Sequence, residues 1–268
     1  MKNLWQGVAL AAGLMFMAGG VSAQTCEGNC GTLGADGVVT APPAEAGTDQ
    51  YQYVSTFGGT FMGGLPGIGG TAIGSGSATN GSVFTSALFG ATAGDPLQFY
   101  FNYVTSDGAG WADYAWARLL NADMSEAALL FTARTTPGGN TVPGFDMPEP
   151  EATLDPGSTP IIDGAPTWSP LGTWSGRCFD TGCGYTGWIQ SLFNVAATGS
   201  YYLQFGVTNW GDEAYDSGMA WAGVTIAGAP IDDPVSVPEP ATMLLLATGL
   251  LGVVAAGRRR RDEELDCS

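Results

Sequence analysis

Pro96-Leu97-Gln98-Phe99-Tyr100-Phe101-Asn102-Tyr103-Val104-Thr105 alternates two sets of side chains. Leu97, Phe99, Phe101 and Tyr103 share one face, and Gln98, Tyr100, Asn102 and Val104 share the other. A two-residue period marks a β-strand, because successive side chains leave opposite sides of a pleated backbone. The pattern returns at 200–208, where Tyr201, Leu203, Phe205 and Val207 alternate with Tyr202, Gln204, Gly206 and Thr208. Further strand-like runs lie at 51–57, 82–89, 113–121, 127–134, 185–195 and 218–226. The runs 113–121 and 127–134 predict a hairpin about Asn121-Ala122-Asp123-Met124-Ser125, with a short helix as the competing reading. No long amphipathic helix interrupts the series. Short strands joined by acidic or Gly-rich turns predict an all-β fold, an antiparallel β-sandwich of jelly-roll type over residues 51–228.

The segments around the strands differ in character. Residues 24–50 read as an N-terminal loop segment, and 57–82 as Gly-dense turns or a Gly-rich binding loop. Residues 135–170 hold eight of the sixteen prolines. This Pro-rich insert is expected to be either a mobile surface loop or a lid over one end of the domain. Trp168 and Trp174, near its return, are its expected anchors to the body. Residues 229–236 read as a linker.

Composition narrows the function. Among 268 residues, acidic side chains outnumber basic ones 25 to 8, for a net charge of −17, and His is absent. A basic face for nucleic acid is therefore excluded. So are Ser-His-Asp and Cys-His catalysis and His-ligated zinc. Residues 24–236 carry only Arg118, Arg134 and Arg177 as basic groups against twenty acidic ones. Such a surface repels anionic polymers and attracts divalent cations.

Both termini read as targeting segments. Lys2, an apolar run at 8–18 and Val21-Ser22-Ala23 form a signal peptide, 1–23, cleaved after Ala23. At the other end, Pro238-Glu239-Pro240 precedes an uncharged stretch, 241–257, and then Arg258-Arg259-Arg260-Arg261. The uncharged stretch would reach about 26 Å as a helix, slightly under a ~30 Å hydrocarbon core, and predicts a thin single transmembrane helix. The arginines stay cytoplasmic, so the main domain lies outside the inner membrane. The prolines keep the preceding segment extended. Residues 262–268 form an acidic cytoplasmic tail.

Pro-Glu-Pro, an apolar span and an arginine cluster together resemble the PEP-CTERM sorting signal of Gram-negative bacteria, here at 237–261. The resemblance implies recognition of Pro238, Glu239 and Pro240 by an exosortase, a membrane-embedded cysteine transpeptidase. It also implies transient residence in the inner membrane and delivery to the cell surface or exopolysaccharide matrix. The acidic tail after the arginines departs from the usual pattern, in which the chain stops sooner.

Four of the five cysteines of this exported chain fall into two close pairs, Cys26 with Cys30 and Cys178 with Cys183, and Cys267 lies past the arginines. Two local disulfides are expected. Long-range pairing and zinc are the alternatives, zinc being disfavoured by the spacings and the absence of His. An echo links two strand–loop–strand stretches, read as hairpins. Leu97-Gln98-Phe99 leads through Asp107–Asp113 to Ala115-Trp116-Ala117, and Leu203-Gln204-Phe205 through Trp210–Asp216 to Ala220-Trp221-Ala222. Gly211–Ser217 also resembles a loop of choice-of-anchor surface sandwiches.

Asp107, Asp113, Asp212 and Asp216 in these loops are candidate calcium ligands, since Ca²⁺ takes six to eight oxygens, with Asn102, Asn209 and Glu213 as further donors. Ordinary turn capping by Asp is the alternative. Trp111, Tyr114, Trp210 and Tyr215 are candidate carbohydrate-stacking residues, while Trp116 and Trp221, each flanked by Ala, are expected in the core. Catalysis is not expected. With no His and no Lys in residues 24–236, acid–base work falls to carboxylates and Tyr, and Glu126 and Glu213 form no spaced motif.

The leading expectation is a non-catalytic exported surface or matrix protein associated with exopolysaccharide or matrix proteins. A structural or adhesion protein without a defined ligand and a carboxylate-dependent glycan hydrolase are the alternatives. Intact-mass measurement of the surface-derived protein is expected to give a chain starting at Gln24 and lacking Arg258–Arg261. A mature form that retains these arginines would refute C-terminal processing.

Overall fold

The computed structural model describes residues 23–68 and 76–231. The expected signal peptide through residue 22, and everything expected beyond residue 231, lie outside the described residues. Among the described residues no helix is long and apolar enough to cross a membrane.

The first strands in chain order are β1 (Thr25–Glu27), β2 (Asn29–Leu33), β3 (Tyr51–Ser55), β4 (Ala78–Thr85), β5 (Phe89–Ala91) and β6 (Pro96–Thr105). Next come β7 (Tyr114–Asn121), β8 (Glu126–Arg134), β9 (Asn140–Val142), β10 (Thr153–Asp155), β11 (Thr159–Pro160) and β12 (Ile162–Asp163). β13 (Gly184–Tyr185), β14 (Ile189–Asn194), β15 (Gly199–Trp210), β16 (Ser217–Ile226) and β17 (Ala229–Pro230) complete the set.

They form two antiparallel sheets. The first runs β1-β4-β15-β7-β8, with β5 also on β15; the second runs β10-β14-β6-β16-β3-β2, with β13 on β6, β12 on β13 and β17 on β16. β9 and β11 make a separate ribbon.

The alternation in β6 does what its pattern predicts. Leu97, Phe99, Phe101 and Tyr103 meet Phe84, Ala117, Leu119, Leu130 and Phe205 of the first sheet in the main core. Phe101 stacks on Phe131 with centroids 3.8 Å apart, and Phe205 on Trp221 at 4.2 Å. Aromatic stacking of this kind adds to simple burial.

The outer faces are covered as well. On the second sheet, Tyr51, Val104, Ala220 and Ala222 lie under Val39, Trp168 and Leu171. On the first, Val83, Tyr114, Trp116, Leu129 and Trp210 pack with Leu65 and Phe61. Loops thus act as third and fourth layers. Trp116 and Trp221 are both 1% exposed, but in different places: Trp221 between the sheets, Trp116 on the outer face of the first.

Three expectations are corrected. Residues 24–50 are not loop throughout: β1 joins the first sheet and β2 the second, and the Cys26–Cys30 disulfide links them with Cα atoms 6.2 Å apart. Strands this short carry no readable period. The Pro-rich insert is neither free nor a simple lid. β10 extends the edge of the second sheet along β14, and the insert's return buries Trp168 completely, its indole N–H donating to Tyr51 Oη at 2.9 Å. Finally, the two echoed stretches are not hairpins. β6 and β7 lie in different sheets, as do β15 and β16, so both connections cross the sandwich. The 113–134 hairpin does form, through β7 and β8, with Asn121 and Ser125 closing the turn at 2.8 Å.

Gly206 shows how closely the outer face is packed. It pairs with Trp116 across β15 and β7, and a Cβ at 206 would sit 2.2 Å from the indole. Gly206→Ala must displace that buried ring, a cost of roughly 1–3 kcal/mol. A lowered urea midpoint with an unchanged slope is expected; an unchanged midpoint would show that the ring yields freely.

Candidate functional site

The two sheet crossings leave from the same end of the sandwich. β15 pairs with β7 and β16 with β6, so the segment after β6 (106–113) runs beside the segment after β15 (211–216). Asp113 ties them together. Its Oδ1 accepts from the Trp210 N–H at 2.8 Å and its Oδ2 from Ser217 Oγ at 2.6 Å. In return, Ser106 donates through N and Oγ to the Asp216 carbonyl, at 3.1 and 2.8 Å. Beneath, Tyr103 Oη donates to the Asp113 carbonyl at 2.9 Å, and Ser217 Oγ lies 2.8 Å from Thr105 Oγ1. This mesh cross-links the two segments.

All four aspartates expected as one set are therefore at one end. Asp107 is 1% exposed, Asp113 is completely buried and Asp216 is 2% exposed. Asp212 is half-buried and accepts from the Ala214 N–H at 3.0 Å, as turn-forming aspartates do. Asp216 Oδ1 accepts from Thr56 Oγ1 at 2.7 Å. Asp107 Oδ1 accepts from the Gly108 N–H at 2.6 Å, while its Oδ2 is buried without a partner. Asn102 lies buried below, near Thr186 Oγ1 at 3.4 Å, and Glu213 is exposed. Among the described residues, no group of three or more carboxylate or thiolate side chains is placed to hold a metal ion.

Burial dominates the electrostatics. It pushes the Asp107 carboxyl well above the usual carboxylate range, and the Asp212 and Asp216 charges push the same way. Asp113 is raised by burial and then by Asp107. Asp216 is pushed up to about 6 by burial, against hydrogen bonds from Thr56 and Asn209. The nearby cation is Arg134, itself buried and lowered by desolvation. Its guanidinium donates to the Ala112 and Phe145 carbonyls and lies 4.9 Å from the Trp210 ring centroid, so no carboxylate of the cluster is its hydrogen-bond partner.

The expected aromatic set separates in the structure. Tyr114 and Trp210 are 1% and 5% exposed within the outer core of the first sheet, and β15 runs through Trp210 rather than ending before it. Neither presents a ring to solvent. Trp111 is half-buried over Gly211, where a Cβ would meet its ring at 2.9 Å. Tyr215 is half-buried and stacks on Trp174 at 4.2 Å, with Phe179 at 5.0 Å.

Trp174 and Phe179 were outside the expected ligand set. Trp174 returns from the insert, and Phe179 sits in the loop closed by the Cys178–Cys183 disulfide. That loop is docked on the first crossing, with Phe179 N–H donating to the Ser106 carbonyl and Ala109 N–H to the Thr181 carbonyl, both at 2.9 Å. Phe179 is 50% exposed. Tyr215 holds φ +56°, a left-handed conformation unusual for a bulky residue. The sequence carried one usable signal for this platform: Trp174 just before, and Phe179 within, a short Cys-closed loop.

Glu126 and Glu213 lie at opposite ends of the first sheet. Glu126 pairs with Leu120 at the far end of β7, and Glu213 follows β15 beyond the pairing of Thr208 with Tyr114. The length of β7 puts roughly 20 Å between those ends at ~3.3 Å per residue. A glycosidase pair requires about 5–9 Å.

Comparison with known proteins gives one family match, the PEP-CTERM protein-sorting motif, at residues 236–261. No curated protein matches the chain. Among solved structures, the enzymatically active domain of tailspike protein 4 of bacteriophage CBA120 aligns at 11% identity with a TM-score of 0.32, covering 76% of this chain and 19% of that one.

The buried carboxyls predict a pH dependence. Their folded pKa values lie above the free value of 3.8, so their contribution to stability is complete below that value. It is lost as pH rises through about 6 for Asp216 and further still for Asp107. In the presence of chelator, Tm is expected to fall from mildly acidic to mildly alkaline pH. A Tm that rises across that interval would contradict the electrostatic picture.

Proposed function

We propose that this chain, an exosortase-sorted exported protein by its C-terminal sorting motif, is a non-catalytic component of the cell surface or extracellular matrix that holds neutral exopolysaccharide. The observation that carries the reading is the aromatic platform of Trp174, Phe179 and Tyr215 at the loop end of the sandwich.

Sugar rings stack on aromatic faces, and Trp and Tyr combine an apolar body with a polar edge. Phe179 stands half in solvent beside the exposed Asp180, whose carboxylate can accept from sugar hydroxyls. The strained backbone of Tyr215 is consistent with a ring held ready rather than one filling space. A net charge of −17 argues against electrostatic capture of acidic polymers and favours neutral chains. The raised aspartates would ordinarily attract a catalytic reading, but Asp107 and Asp113 are 1% and 0% exposed, out of a substrate's reach.

Affinity electrophoresis of the mature protein through gels containing the producing strain's exopolysaccharide, and separately a panel of neutral glucans, tests the reading. Retardation is expected in at least one gel. Trp174→Ala and Phe179→Ala are each expected to weaken it about tenfold or more, equivalent to ~1.4 kcal/mol of lost stacking. No retardation in any gel would favour a structural or adhesion role without a defined ligand. Release of reducing ends during the run would favour a hydrolase.

A further inference from the structure

Arg177 stands apart from the other basic groups of the body. Residues 24–236 hold no Lys, and their only Arg residues are Arg118, Arg134 and Arg177. Arg118 pairs with Glu126 at 3.5 Å. Arg134 is buried, and its guanidinium donates to the Ala112 and Phe145 carbonyls. Arg177 is exposed, and among the described residues its guanidinium has neither a carboxylate partner nor a carbonyl to donate to. Its central carbon lies 5.8 Å from the Trp174 ring centroid, within reach of a cation–π contact. A guanidinium with its donors free is thus placed at the aromatic platform itself.

The backbone that carries Arg177 is tied down. Its N–H donates to the Trp174 carbonyl at 3.0 Å, and the Gly176 N–H donates to the Pro166 carbonyl at 2.8 Å. Ser175 Oγ accepts from the N–H of the buried Trp168 at 2.9 Å. Trp174 stacks on Tyr215 at 4.2 Å, and Tyr215 meets Phe179 at 5.0 Å. Phe179 offers the most open ring of the three, and Asp180 follows it in the docked loop. Asp180 Oδ1 accepts from the Thr181 N–H at 2.7 Å, while its second oxygen has no protein donor. The open ring is therefore flanked in the chain by a side chain that can only donate and one that, ionised, can only accept.

We infer that Arg177 selects the sugar: its guanidinium donates a pair of N–H bonds to two hydroxyl oxygens on adjacent carbons of a neutral sugar unit held at the platform. The inference rests on the polysaccharide reading and narrows it to polymers whose units keep two adjacent hydroxyls free. A guanidinium is a planar, rigid fork of donors, which suits two oxygens lying side by side. Its contact with Trp174 orients the fork beforehand, so less side-chain freedom is lost on binding. A carboxylate is the other acceptor that such a fork takes in this way. The net charge of −17 opposes the approach of a polymer carrying many of them. Lysine cannot substitute, because its ammonium is a point charge without a fork.

The test compares two soluble glucans in affinity gels at matched concentration and chain length. One is linked through the fourth carbon, so its units keep adjacent hydroxyls on the second and third. The other is linked through the third carbon, so its units keep no adjacent pair. The mature protein is expected to be retarded more by the first. Arg177→Lys is expected to weaken that retardation about tenfold and to level the two gels. Should lysine disturb the fold, Arg177→Met replaces it, since it keeps an apolar stem beside Trp174 and removes every donor. Equal retardation by the two glucans, or none by either, would overturn the inference. So would a preference that survives both variants. Stronger retardation by a polyuronate would do so too, because it assigns the fork to carboxylates. If Trp174→Ala weakens binding while Arg177→Lys leaves it unchanged, this inference fails and the polysaccharide reading stands. If neither the glucans nor the producing strain's exopolysaccharide retards the protein, both fail.

Discussion

Asp113 holds the loop end of this fold in place. It is wholly buried, and its two oxygens take the Trp210 N–H at the end of β15 and the Ser217 hydroxyl at the start of β16. One side chain in the first sheet crossing thereby secures both ends of the second. A carboxyl so deep is expensive to desolvate, and the mesh of Tyr103, Thr105 and Ser217 around it offsets part of that cost. The neighbouring aspartates, the docked disulfide loop and the aromatic platform are all positioned relative to this joint.

Among the described residues, both faces of the two sheets are packed against other parts of the chain. Each sheet has an inner face in the common core and an outer face covered by loop residues, Trp168 and Leu171 on one side and Leu65 on the other. That accounts for a chain only 12% charged. Both surfaces of its main strands are largely buried, as in sheets covered on two sides. It also explains why polar strand positions such as Gln204 and Asn102 are buried rather than solvated.

Legibility followed locality. The disulfides were readable because each closes a few residues, Cys26 to Cys30 and Cys178 to Cys183. The β7–β8 hairpin was readable because its turn residues sit between two patterned runs. The strand character of β6 and β15 was carried by their period. The aromatic roles were less legible. Trp210 and Tyr114 sit among acidic loop residues in sequence, yet their rings turn onto the outer face of a sheet. Trp174 and Phe179, distant from Tyr215 in sequence, meet it in space.

The sequence by itself determined the class of fold and the C-terminal sorting motif and pointed to the two local cross-links, because each is written in contiguous residues or in a period of two. Only the tertiary structure decided that the echoed stretches cross between sheets, and hence that Asp107, Asp113, Asp212 and Asp216 share one end. The reason is that a strand's alternation tells which side chains face a core. It does not tell which sheet the next strand will join, and that choice is made by long-range pairing of β15 with β7 and of β16 with β6.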